Sequence, residues 1–165
     1  MHVLRQLPFR DAPYTIEVAG EQIIIRGYQI VVWVSLGVRD VPDKDAPRFP
    51  AVLDTGHSHN FSIRENQLLL WTGIRPDTLQ SLGTIVVNRE EVPLRAAHLW
   101  IHRNRPGTAE LLARPFHLEV LQGVAVYPSG VAGAPRLPLL GLRGLVRNKL
   151  RVTIDGDKMS VSLRT

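Results

Sequence analysis

Cysteine is absent from the 165 residues, which excludes a disulfide framework and any thiolate metal site. Long apolar runs are missing too: no stretch approaches the roughly 20 consecutive apolar residues of a membrane-spanning helix. Residues 1–10 hold two arginines and a proline, without the apolar core of about 7–15 residues that marks a secretory signal, so a cytoplasmic location is expected. Charge is nowhere concentrated. The net charge of +5 comes from arginines spread between Arg5 and Arg164, and the densest group is only Arg136, Arg143, Arg147, Lys149 and Arg151. Nucleic-acid readers gather basic charge on one face and interleave aromatics, so neither a nucleic acid nor a membrane is expected as a partner. The hydrophobic content of 44% supports one core and not two full domains.

What is present is a series of short β-rich runs divided by turn signals. Residues 14–18 and 22–26 flank Ala19-Gly20-Glu21 as a hairpin, and residues 28–38 form a nearly continuous apolar strand containing Trp33. Residues 40–50, with three prolines and three aspartates, read as a surface loop returning the chain to the apolar run 49–53. One or two helical turns are expected within residues 62–71, ending before Gly73. Residues 83–88 and 92–102 form a hairpin around Asn88-Arg89-Glu90-Glu91, residues 103–114 a loop, and residues 116–121 and 123–127 a strand pair around Gln122-Gly123. After a surface meander over 128–136, residues 142–148 form two helical turns. Asp155-Gly156 then joins the runs 151–154 and 159–163 as a terminal hairpin. Trp33 and Trp100, inside apolar runs, are expected in the core.

The centre of this pattern is Ala51-Val52-Leu53-Asp54-Thr55-Gly56. A lone carboxylate stands at the tip of an apolar strand, where Gly56 lets the chain turn sharply. Burial of Asp54 is costly unless the Thr55 hydroxyl, main-chain N–H groups of the turn, or a second copy of the loop compensates it.

Val52-Leu53-Asp54-Thr55-Gly56, continued by Ser58-His59-Asn60-Phe61, resembles the active-site loop of the retropepsin-like aspartic proteases, the retroviral and retrotransposon type, in a single-domain bacterial form. Downstream, Leu137-Pro138-Leu139-Leu140-Gly141-Leu142 is similar to that family's apolar-apolar-Gly segment, the structural strand that crosses beside the catalytic loop and leads into a short helix. The resemblance spans residues 28–163. It implies an all-β fold, a retropepsin-like acid protease barrel with one Asp-Thr-Gly half-site per chain and one or two short helices. Residues 1–27 would then be an N-terminal extension or hairpin ahead of the domain at 28–165, the whole forming a single globular unit.

Peptide hydrolysis by this chemistry needs two carboxylates sharing a proton, one acting as base toward water and the other as acid toward the carbonyl oxygen. The chain offers one. Asp77-Thr78 is followed by Leu79, and Asp155-Gly156-Asp157 lacks both the hydroxyl residue and the apolar lead-in, so a homodimer with Asp54 from each subunit is implied. By the same resemblance, Thr55 braces the two loops across the axis and Gly56 presents main-chain groups to an extended peptide or protein substrate. His57, Ser58, Trp71, Val87 and Asn88 are the implied substrate-binding positions. The flap is expected at residues 85–99, with 71–82 as its rival.

His57 departs from the small residue that the family carries after its glycine. Two readings follow: an aspartic endopeptidase working as a homodimer, or a catalytically inactive dimeric module that keeps the fold for binding or assembly. No cofactor or metal is expected. Asp54, His57 and His59 could hold an ion if His57 and His59 shared one face of an extended strand, yet His98, His102 and His117 show no supporting spacing. A triad of Ser58, His59 and Asp54 is disfavoured, because residues so close in sequence do not reach relay geometry.

Overall fold

The computed structural model describes residues 1–165 as a mostly β architecture with two short helices. The strands, in chain order, are β1 (His2–Pro8), β2 (Tyr14–Val18), β3 (Glu21–Ile25), β4 (Val31–Gly37), β5 (Phe49–Asp54) and β6 (Phe61–Arg64). Helix α1 (Glu65–Thr72) follows β6, and then come β7 (Ser81–Val87), β8 (Glu90–Arg95), β9 (His98–Ile101), β10 (Phe116–Leu118) and β11 (Val124–Tyr127). The last elements are β12 (Leu139–Gly141), helix α2 (Leu142–Arg147), β13 (Arg151–Asp155) and β14 (Ser160–Arg164). No helix is long and apolar enough to cross a membrane.

Nine strands form one sheet in the order β10-β9-β4-β5-β12-β6-β11-β8-β7. Its shape follows from chain length. Strands β8 and β9 stand six positions apart, about 29 Å in a flat sheet at ~4.8 Å per strand, yet only Ala96 and Ala97 separate them. Three peptide links span at most about 11 Å, so the sheet must curl back on itself. Its edges β10 and β7 do not pair, and no barrel closes. Inside the curl lies one core cluster that includes Phe49, Phe61, Ile63, Leu68, Leu99, Leu118, Leu140 and Leu145. Hairpin β2–β3 pairs with no other strand yet adds Val18 and Ile25 to the same core, and β1, β14 and β13 form a three-stranded sheet whose Val3, Leu4, Leu7, Val161 and Leu163 join it too. The first eight residues thus share a core with residues 28–165.

Several local expectations need correction. Residues 62–64 belong to β6, because Phe61 and Ile63 alternate into the core; the helix starts at Glu65 and stops where Gly73 adopts φ 72° and donates its N–H to Leu69 O. The run 92–102 is two strands. It breaks at Ala96, whose N–H turns to Gln80 O at 2.9 Å, after which β9 pairs with β4 and β10. Asn88 and Arg89 both have positive φ (50° and 66°), so the β7–β8 turn is two residues long, the geometry that matches strand twist.

Residues 116–121 and 123–127 do not pair with each other. Strand β10 pairs with β9, whereas β11 runs parallel to β6 and antiparallel to β8. Gly123 is the divergence point: at φ 79° it passes so close to Arg95 O that a β-carbon there would lie 2.6 Å away. In the terminal hairpin the ladder ends at Asp155 opposite Ser160, so the turn takes four residues, 156–159, with the Asp155 carboxylate accepting from Lys158 N–H at 3.0 Å.

Candidate active site

The loop bearing Asp54 is held on three sides by backbone. Strand β12 threads between β5 and β6, parallel to the first with Leu139 opposite Val52, Leu140 opposite Leu53 and Gly141 opposite Asp54, and antiparallel to the second. Strands β5 and β6 are neighbours in sequence but never pair; the intruding strand supplies the ladder that each would otherwise lack. Below the ladder, Gly141 N–H donates to Asn60 O at 3.0 Å and Leu142 N–H to His57 O at 2.7 Å. The loop and the start of α2 are therefore fastened together.

Glycine at 141 is a steric requirement. A β-carbon would strike His59 O and come within 2.7 Å of His57 O. Two leucines deliver this glycine: Leu140 is fully buried, and Leu139 packs against the core from its margin.

Within the loop, Asp54 Oδ1 accepts Gly56 N–H at 2.9 Å, and Asp54 O accepts His57 N–H at 3.2 Å. Of the compensating groups expected for Asp54, the turn N–H is the one used within the chain; Thr55 is exposed, as are Gly56 and Ser58. The carboxylate is half-buried, seated on a rigid strand end and open on one side.

The imidazole of His57 turns away into the sheet, where Nε2 lies 2.7 Å from Ser62 Oγ. Burial lowers the pKa of His57, and His59 adds to the effect while Asp54 opposes it. A neutral ring is thus favoured. His59 is also lowered, by burial and then by Arg143. The His57 and His59 rings meet edge to face, with centroids 5.3 Å apart.

Registers place Ser62 opposite both Leu139 and Ala125, so Asp54, Gly141, Ser62, Ala125 and Tyr127 share one face of the sheet. That face carries a second apolar cluster of Val92, Ala125 and Tyr127, bordered by Ile85, Val87 and Leu94 of the β7–β8 hairpin. The phenol of Tyr127 is raised by burial, with the Ser62 hydroxyl opposing. Ser62 thus ties the loop histidine to this cluster, a role that sequence spacing gave no means to see because the contacts cross strands.

The other expected positions are dispersed. Trp71 is 3% exposed and packs on Phe49 at 6.1 Å between ring centroids, inside the main core and not on a surface open to substrate. Its place on the inward side of α1 beside Leu68 accounts for this. Val87 and Asn88 form the tip of the β7–β8 hairpin, where Val87 packs on the Val92, Ala125 and Tyr127 cluster and Asn88 Nδ2 donates to Ala132 O at 3.2 Å. Trp100 is buried as expected, and Trp33 only partly so. His98 and His117, which sequence spacing left unconnected, are brought together with Asp40 by cross-strand pairing. No family model, curated protein or solved structure matches this chain.

Proposed function

We propose that the protein is an aspartic endopeptidase of retropepsin-like type, assembled as a homodimer with one Asp54 from each chain at the two-fold axis. The observation that carries this reading is the placement of Asp54. Its carboxylate ends a buried strand, is oriented by Gly56 N–H, and is flanked by a strand from 85 residues downstream whose glycine permits close approach. A half-exposed carboxylate fixed by a main-chain N–H at the end of a buried strand supports a chemical role for Asp54 over a purely structural one.

In the dimer, two such carboxylates close together hold one proton between them. The ionised member takes a proton from water as that water attacks the peptide carbonyl carbon. The protonated member donates to the carbonyl oxygen, giving a tetrahedral diol, and collapse of the diol passes a proton to the departing amine. Thr55, exposed at the loop tip, would brace one loop against its partner. An extended substrate would lie across the open side of Asp54, outside the buried cluster around Tyr127. Its backbone would pair with the β7–β8 hairpin as an added strand.

His57 favours the alternative, an inactive dimeric binding module, only if its ring fills the space of the attacking water. The hydrogen bond to Ser62 turns the ring toward the sheet and weighs against that. Wild type and Asp54→Asn are to be compared on a mixed peptide library from acidic to neutral pH. Asparagine keeps the acceptor for Gly56 N–H, so the fold is expected to survive while cleavage disappears. Full peptidase activity in Asp54→Asn refutes the endopeptidase reading, and a stable wild-type dimer that cleaves nothing establishes the binding module instead.

A further inference from the structure

On the opposite side of β5 from β12, the paired strands β4, β9 and β10 bring three titratable side chains to one point. Asp40 stands in the segment after β4, His98 opens β9, and His117 lies at the centre of β10. The register sets Gly37 opposite His98 and Trp100 opposite His117, so His98, Trp100 and His117 share a face. Trp100 is 4% exposed and lies over Gly37, where a β-carbon would come within 3.1 Å of its ring. Against this fixed indole the His98 and His117 rings stack obliquely, with centroids 5.9 Å and 5.4 Å from it. Both imidazoles are thereby oriented before any ligand arrives.

The polar atoms face one another at spacings poorly suited to direct pairing. His98 Nδ1 and His117 Nε2 are 3.4 Å apart, and Asp40 Oδ1 is 3.6 Å from the first and 3.7 Å from the second. Good N–H···O hydrogen bonds fall near 2.9 Å, so the three groups converge in contacts that are all long for direct pairing. The circle through three points with these sides has a radius of about 2.1 Å, which is the Zn–N and Zn–O bond length. A tetrahedral ion would stand slightly off this plane, at about 2.2 Å from each atom, close to the zinc range.

We propose that Asp40, His98 and His117 form a binding site for one divalent transition-metal ion of the zinc class. Two imidazoles and one carboxylate are the borderline ligand set that such ions prefer to the all-oxygen shells of calcium and magnesium. The remaining coordination positions open to water, since Asp40 is exposed and each histidine ring is about one-third exposed. The ion ties the segment 38–47 to the β9–β10 edge. The site uses no residue of the Asp54 loop and stands independently of the peptidase reading.

The chain, stripped with chelator, is to be titrated with Zn²⁺ alone in a calorimeter. One ion should bind per chain, and His98→Ala or His117→Ala should remove that binding. Asp40→Asn, at an exposed position where folding is not at stake, should weaken it by about tenfold or more. The double change of His57→Ala with His59→Ala should leave it intact. Co²⁺ in place of Zn²⁺ should give the strong visible absorption of a four-coordinate ion. Trypsin should cut after Arg39 and Lys44 more slowly with Zn²⁺ in wild type but not in Asp40→Asn. No binding by wild type, an unchanged affinity in Asp40→Asn, or loss only in the His57 and His59 double variant overturns the proposal.

Discussion

Gly141 lies in parallel register beside Asp54, and its missing side chain is what lets the carbonyls of His57 and His59 approach. The backbone of one strand thus holds the loop that carries the carboxylate, whose own direction is set by Gly56 N–H.

Gly141→Val is expected to destabilise the fold by about 3 kcal/mol or more, the upper end for overpacking, since the obstructing atoms are backbone oxygens that no rotamer change can move. For a chain of this size that corresponds to a fall in melting temperature of roughly 10 °C. Thermal denaturation followed by circular dichroism checks it. An unchanged melting temperature would mean that β12 does not press on the loop.

A half-site with one carboxylate predicts a dimer. Sedimentation at micromolar concentration should give twice the chain mass, and cleavage should fall faster than linearly on dilution. A monomer with full peptidase activity contradicts the two-fold arrangement.

In the proposed dimer, an uncharged His57 ring bordering the two Asp54 carboxylates would disfavour their fully ionised form. His57→Ala admits water there. The upper limb of the kcat/KM profile is expected to move to lower pH, while the lower limb moves less. An upper limb that stays in place or rises would show that His57 does not face the pair.

His102 is 5% exposed, with Nε2 at 2.9 Å from Ser35 Oγ, and burial, then Arg48, pushes its pKa down to about 4. The unfolded chain, with a histidine near 6.5, binds this proton first as pH falls. Stability from this group is therefore complete above about pH 6.5 and is lost between 6.5 and 4, by no more than about 3 kcal/mol. His102→Phe should flatten the plot of unfolding free energy against pH in that window, whatever its effect at neutral pH. Urea unfolding at a series of pH values measures the slope, and an unaltered slope would assign it to His57 and His59.

Sequence carried the parts of the fold that depend on near neighbours. The apolar run ending at Asp54 and the stop at Gly73 each have a local cause and were legible, while the glycine after Leu140 was picked out through the family resemblance. Pairing between distant strands was not. The run 92–102 looks continuous because β propensity does not reveal that Ala96 turns to Gln80, and strands around Gly123 look paired because a turn signal does not say where the chain goes next. The same blindness hid Ser62 beneath His57 and left His98 and His117 unconnected, since neither contact has a periodicity to betray it. Trp71 was misplaced for a different reason: within a helix of eight residues, one turn decides between core and solvent, and α1 begins three residues later than its apolar residues suggest.

The insertion of β12 between β5 and β6 also sets an order of events during synthesis. Asp54 leaves the ribosome long before Leu139, and at about 5–20 residues per second the chain needs several seconds to supply the missing strand. Until then the loop has no partner for Asn60 O or His57 O, and β5 and β6 hold an open seam. The loop therefore cannot be fastened to the start of α2 until most of the chain has emerged, and this seam closes late in synthesis.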